Sequence, residues 1–124
     1  MTHHLTGMPF VFPTHQGRAA ERILCAVVPL AGRVVLSNGL FDTTRANIEV
    51  EEAEARDLVI AEGRVPDLIH PFKGNIDLAK LEKVLSSGAR VPYVCLAATV
   101  NMAGGQPVSM GNVRAVHEFC RKHG

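Results

Sequence analysis

The sequence predicts an α/β fold, a mostly parallel sheet with flanking helices, and three observations carry that prediction. Some segments repeat apolar residues at helical spacing, others hold short β-branched runs, and the two kinds alternate between Pro and Gly junctions. Strand, loop and helix units of this length suggest right-handed crossovers, and in such sheets ligands gather at the carboxyl ends of the strands.

From Gln16 to Val28 the apolar residues Ala19, Ala20, Ile23, Leu24, Val27 and Val28 fall at helical spacing, with Thr14 available as a cap and Pro29 marking the end. After the turn at Gly32, Arg33 to Ser37 reads as a strand covered on both faces, and Asp57 to Ala61 reads the same way. Between them, Phe41 to Ala55 carries Glu49, Glu51, Glu52 and Glu54, a solvated helix face or loop. Leu78, Leu81 and Leu85 predict a helix over Asp77 to Leu85, with Asp77 at its start. Val91 to Thr99 is the strongest strand candidate. Ser109 to Lys122 closes the chain as a helix with Met110, Val113, Val116 and Cys120 inward.

Composition excludes several classes of function. The 124 residues are 47% hydrophobic and 20% charged, enough for one folded domain. A net charge of +1 offers no field for nucleic acid or an anionic membrane. Met1 to Met8 lacks a secretory apolar core, and no later stretch approaches the ~18 apolar residues needed to span a bilayer, so a cytoplasmic location is expected. Cys25, Cys95 and Cys120 are odd in number and widely spaced within apolar stretches, which fits reduced core thiols. The six histidines have no metal-ligand spacing beyond the adjacent His3 and His4, so no metal site is expected.

Three loops could carry chemistry. Pro13-Thr14-His15-Gln16-Gly17-Arg18 runs into the first helix, where free backbone N–H groups, the room beside Gly17 and the Arg18 guanidinium would suit a phosphate, although such a Gly also serves simple turns. Asn38 to Thr44 follows the first strand and holds Phe41, which either offers its face to a flat ligand or caps the core edge. Thr99 to Pro107 follows the strongest strand and presents Asn101, a directional hydrogen-bonding group, ahead of a Gly104-Gly105 turn. No P-loop, GxGxxG, GxSxG or HExxH pattern occurs.

Taken in order, Phe12 to Glu21, Ser37-Asn38 with Phe41 to Thr44, Phe72 to Leu78, and Thr99 to Met110 with its Gly-Gly-Gln-Pro-Val-Ser string resemble the tryptophanase and tyrosine phenol-lyase family, over nearly the whole stretch from Phe10 to Gly124. The resemblance implies part of the large domain of an aspartate-aminotransferase-like, fold type I pyridoxal-phosphate enzyme over residues 10–124, preceded by a poorly defined stretch at 1–9. It implies that Gln16, Gly17 and Arg18 hold the cofactor phosphate, that Phe41 stacks on its ring, and that Asn101 bonds the ring's phenolic oxygen.

The implied reaction is α,β-elimination of an aromatic amino acid, releasing the aromatic group, pyruvate and ammonia. Pyridoxal 5'-phosphate is the implied cofactor, potassium an implied ion bound outside these residues, and a homotetramer the implied assembly. Asp42, beside Phe41, resembles the tryptophanase version of a position where tyrosine phenol-lyases tend to have Thr, so it is expected on the leaving-group side; capping a helix is its other reading. The family's Schiff-base lysine, ring-nitrogen aspartate and following arginine match positions beyond Gly124, and Lys73, Lys80, Lys83 and Lys122 match other parts of the family. The expectation is therefore a fragment of a tryptophanase-like lyase, inactive alone. Its alternatives are a tyrosine phenol-lyase, another fold type I lyase or aldolase-like enzyme, or an inactive remnant.

Overall fold

The computed structural model describes Gly7 and residues 9–124, so His3, His4 and most of the amino-terminal stretch lie outside the described residues. Among the described residues, four helices, α1 (Gly17–Val27), α2 (Asp42–Val50), α3 (Leu78–Leu85) and α4 (Met110–His123), surround three strands, β1 (Val34–Ser37), β2 (Glu54–Asp57) and β3 (Val94–Cys95). Short 3-10 turns occupy Ala61–Arg64 and Asn101–Ala103. All strands are parallel, in the order β2-β1-β3.

Alternation along β1 builds the layers. Val35 points to one face, where Cys25, Leu30, Leu40, Ile48 and Ala53 pack beneath α1 and α2. Leu36 points to the other, where it meets Leu58, Ile76, Leu81, Val84 and Val116 beneath α3 and α4. Successive side chains of a strand point to opposite faces, so this one central strand feeds both cores. The result is a three-layer α/β/α arrangement.

The second strand departs from its expected place at Asp57 to Ala61. β1 pairs Val34 with Glu54 through Ser37 with Asp57, and the ladder ends there. The apolar run that follows turns to a different partner: Ile60 N–H donates to the Asn75 carbonyl (3.0 Å), Asp77 N–H to the Leu58 carbonyl (2.7 Å), and Val59 bridges Ile76. β2 is an edge strand, and its Glu54 and Arg56 pair on the exposed rim (2.7 Å), as charges often do on strand edges.

Helix boundaries follow the sequence closely, whereas two helix faces do not. On α1 only Cys25 is fully buried; Ile23, Leu24 and Val27 are exposed, and with Phe10 and Phe12 they leave much apolar surface open to solvent. The small sheet offers α1 contact with α2 and the core through one narrow strip, so the rest of its apolar stripe has nothing among the described residues to cover it. Thr14 does not cap this helix, because its hydroxyl donates to the Gln16 carbonyl (3.1 Å). On α4, Met110 is exposed rather than inward, and Asn112 takes the buried position with Val116. Asn112 is tolerated there because its amide accepts from Ile76 N–H and donates to the Ile76 carbonyl, both at 2.9 Å.

Asp77 does cap α3: its carboxylate accepts from Lys80 N–H (3.1 Å) and pairs with the Lys80 ammonium (3.0 Å). The backbone and side-chain hydrogen bonds to Lys80 hold its carboxyl below the ordinary value of 3.8. Asp77→Ala is expected to lower stability in urea unfolding by roughly 0.5–2 kcal/mol. A carboxyl depressed in the folded state stabilises fully above its unfolded pKa and loses that contribution as pH falls through the folded one. The difference between parent and variant should therefore hold at neutral pH and vanish only below about 3.8.

Candidate functional site

The carboxyl ends of β1 and β3 lie side by side, and the loop leaving each is fastened before it reaches its candidate residue. Asn38 does most of the fastening. It is fully buried, donates from Nδ2 to the carbonyls of Gly74 (2.8 Å) and Ala97 (2.9 Å), and accepts at Oδ1 from Ala97 N–H (2.8 Å). Its side-chain amide pairs with Ala97 as a neighbouring strand's peptide would, so β3, only two residues long as a ladder, is continued by a side chain. This explains why the strand expected over Val91 to Thr99 is so short in backbone pairing.

The first loop has two further anchors at its base. Gly39 N–H donates to Ser37 Oγ (3.1 Å), and Leu40 N–H to Asp57 Oδ1 (2.8 Å). The second oxygen of Asp57 accepts from Arg45 of α2 (2.6 Å). A Cβ on Gly39 would approach Val100 Cγ1 to 2.4 Å, and one on Gly74 would meet the Gln106 carbonyl at 2.7 Å, so the Thr99 to Pro107 loop packs against both points too closely for larger residues there. Gly104 and Gly105 have φ of 78° and 74° and close the turn that returns Gln106 to Val100.

These anchors bring Phe41 and Asn101 to the wall of one cavity of about 310 Å³, together with Glu21, Thr44, Cys95 and Thr99. Phe41 is 45% exposed and joins neither core cluster. Asn101 opens the 3-10 turn at the cavity mouth and is exposed. Asp42 is the first residue of α2, exposed and making no cap hydrogen bond; it neighbours Phe41 in sequence but does not line the cavity. Its charge instead suits the positive start of α2.

Gln16, Gly17 and Arg18 also stand outside the cavity wall, at the exposed start of α1. No side chain caps that start and no acidic residue occupies its first turn. The first amides of a helix lack intrahelical acceptors, and nothing lies within 4 Å of where a Gly17 Cβ would be, so an anion has open access to them. Glu21 follows Gly17 by four residues on the same helix face and lines the cavity, which links the two places.

Neither the thiols nor the best-buried lysine offers reactive chemistry. Burial pushes the Cys95 thiol up, the Glu21 charge and Cys25 adding to it, and burial also raises Cys120. Tyr93 is raised by burial and by its contact with Cys25 at 3.8 Å. Such thiols stay protonated and unreactive at neutral pH. The Lys73 ammonium is spent on the carbonyls of Val65, Pro66 and Leu68 at 2.6 to 3.0 Å, holding the loop after the first 3-10 turn. Asn38, Glu21 and Lys73 were given no role by sequence; the partners of Asn38 and Glu21 are far away in the chain, and those of Lys73 are loop carbonyls that only the fold brings round its ammonium. The Asn38-Gly39 pair after a strand was the only available signal.

Residues 1–124 match the Beta-eliminating lyase family, and the chain belongs to that family. It is 58% identical over 116 residues to a tryptophanase of Salinibacter ruber, covering 91% of this chain and 25% of that one. It is 54% identical over 115 residues to a tryptophanase of Hyphomonas neptunium (92% and 25%) and 52% identical over 122 residues to a tyrosine phenol-lyase of Lacrimispora saccharolytica (97% and 26%). The chain thus spans about a quarter of the length of the curated relatives it matches.

Among the described residues no helix is long and apolar enough to cross a membrane. Asn38→Asp, which keeps shape but turns two buried donor contacts into acceptor against acceptor, is expected to cost roughly 2–4 kcal/mol in urea unfolding. It should also speed hydrogen exchange at the Ala97 amide relative to amides in α3. An unchanged midpoint would show that the clasp contributes nothing.

Proposed function

We propose that this chain is a segment of a pyridoxal-phosphate-dependent lyase that eliminates the aromatic side chain of an amino acid, with residues 10–124 forming part of the large domain of an aspartate-aminotransferase-like fold. The observation that carries the reading is the meeting of Phe41 and Asn101 on one cavity at the strand ends, one helical turn from the uncapped start of α1.

The residues present fit pyridoxal phosphate. The free amides and guanidinium at Gln16, Gly17 and Arg18 suit its phosphate. The half-exposed face of Phe41 suits its ring, and the Asn101 amide suits its phenolic oxygen. When bound, the cofactor supplies the electron sink for charge developing at the substrate α-carbon. The part of this chain is to grip the phosphate, hold the ring plane against Phe41 and keep a donor near the ring oxygen. A cytoplasmic homotetramer with a potassium site formed by other parts of a family-length chain completes the proposal.

The substrate proposed is tryptophan, giving indole, pyruvate and ammonia, because Asp42 beside Phe41 is the residue that tryptophanases tend to carry there. Tyrosine is the second reading, supported by the 52% identity to a tyrosine phenol-lyase. A lyase-length chimera, with residues 10–124 replacing the matching quarter of the Salinibacter ruber tryptophanase, tests both. Arg18→Ala is expected to weaken cofactor retention by roughly 1.5–3 kcal/mol, the range for a hydrogen bond to a charged group, while turnover at saturating cofactor suffers less. Unaltered retention would remove Arg18 from the phosphate site. Asp42→Thr is expected to lower tryptophan turnover relative to tyrosine; a chimera that prefers tyrosine, or a variant with unchanged tryptophan turnover, would overturn the substrate assignment.

A further inference from the structure

The loop over residues 65–73, between the first 3-10 turn and the turn into α3, is built inside out. Its large apolar side chains, Val65, Leu68, Ile69 and Phe72, are exposed, Ile69 at 97%, while the carbonyls of Val65, Pro66 and Leu68 turn inward. Pro66 and Pro71 add acceptors without N–H donors, so the stretch holds more acceptors than its own backbone can pair. The Lys73 ammonium fills the centre. It donates to Val65 at 2.6 Å, Leu68 at 2.9 Å and Pro66 at 3.0 Å, three donors on three acceptors.

Lys73 is the one charged side chain buried among the described residues, and no carboxylate there pairs with it. A buried charge without a counter-ion persists where carbonyl dipoles replace its hydration shell. A loop with its apolar residues outward gains little from burial, so these three charge-assisted bonds are the main interactions that order it. The next residue joins this cage to the strand ends: Gly74 N–H donates to the Pro107 carbonyl (3.0 Å), and the Gly74 carbonyl accepts from Asn38 (2.8 Å). We propose that the Val65, Pro66 and Leu68 carbonyls form a binding site for a primary ammonium, filled here by Lys73 as a tethered ligand, whose occupancy steadies the Asn38 clasp through Gly74. Lys73 is thus a positioning residue for the cavity loops, whichever ligand the cavity takes.

Lysine truncated at Cβ loses the atoms of propylammonium, so the free cation can be asked to restore what the tether supplied. Hydrogen exchange is read in the same chimera without cofactor, at the Val65 and Leu68 amides and at the Ala97 amide of the clasp. Tetramethylammonium chloride is replaced stepwise by propylammonium chloride at constant ionic strength. K73A is expected to exchange at least roughly tenfold faster than the parent at Val65 and Leu68, with a smaller rise at Ala97, and propylammonium to reverse both. K73M keeps an apolar stem in the channel that propylammonium would use. It is expected to exchange as fast as K73A and to ignore the added cation, as the parent does with its cage already filled.

Rescue confined to K73A is what a lysine acting only through the packing of its stem would not give. Unchanged exchange in K73A, parent-like exchange in K73M, or a K73A that propylammonium does not slow overturns the site. Equal slowing of all three proteins overturns it too, as a general salt effect. If K73A folds only with propylammonium, that is rescue; if it folds with neither salt, K73M decides, faster exchange supporting the site and parent-like exchange overturning it. Exchange at Ala97 that does not follow the filling of the cage overturns the positioning role.

Discussion

The side-chain amide of Asn38 is the interaction on which the rest of the arrangement depends. A parallel pair as short as β1 with β3 gives little backbone pairing to hold two loops at a fixed separation. Asn38 lengthens that pairing by one peptide and, through the Gly74 carbonyl, fastens the turn that leads into α3. Asn112 does the same for Ile76 from the opposite layer, and Asn75 Oδ1 takes the Ser109 N–H where α4 begins. The buried amides of Asn38 and Asn112, each both donating and accepting, thus stand in for main chain where the sheet runs out, and both are satisfied, as burial of polar groups requires.

Charge is distributed with comparable economy. Lys73, Lys80, Arg22, Arg45 and Arg56 are all engaged within the fold, on carbonyls or carboxylates. Arg18 makes no ion pair among the described residues, and Glu21 has an oxygen without a partner. Both lie on the first two turns of α1, the helix that starts beside one candidate loop and runs past the other. Groups spent on structure cannot serve a ligand, and neither Arg18 nor the second oxygen of Glu21 is spent in that way.

Sequence reasoning succeeded where a local cause decides the outcome. The period of α1 and the Asp77 start of α3 are properties of a few consecutive residues, and both helices begin within a residue of expectation. The three candidate loops could be placed from sequence because each follows a strand or precedes a helix. Distant partners decided the rest. Leu58 to Ile60 has the composition of a strand, yet the ladder of β1 ends at Ser37 and the run pairs with Asn75 to Asp77 instead. An Asn in the place of an apolar residue on α4 breaks no local rule, and only Ile76, 36 residues away, explains it. The apolar stripe of α1 was legible as a stripe, but what would cover it is not written in its period.

The Asn38 clasp also bears on how the molecule ages. An Asn followed by Gly is a chemically fragile step in a flexible chain, because the small neighbour lets its own amide nitrogen reach the side-chain carbonyl carbon and expel ammonia. Here that nitrogen is occupied with Ser37 Oγ, and the buried amide it would attack is held by three hydrogen bonds. The same bonds that set the spacing of the loops therefore shield the step from spontaneous deamidation. Each excursion that opens this region exposes it, so the chemical lifetime of the folded chain is tied to how seldom the clasp lets go.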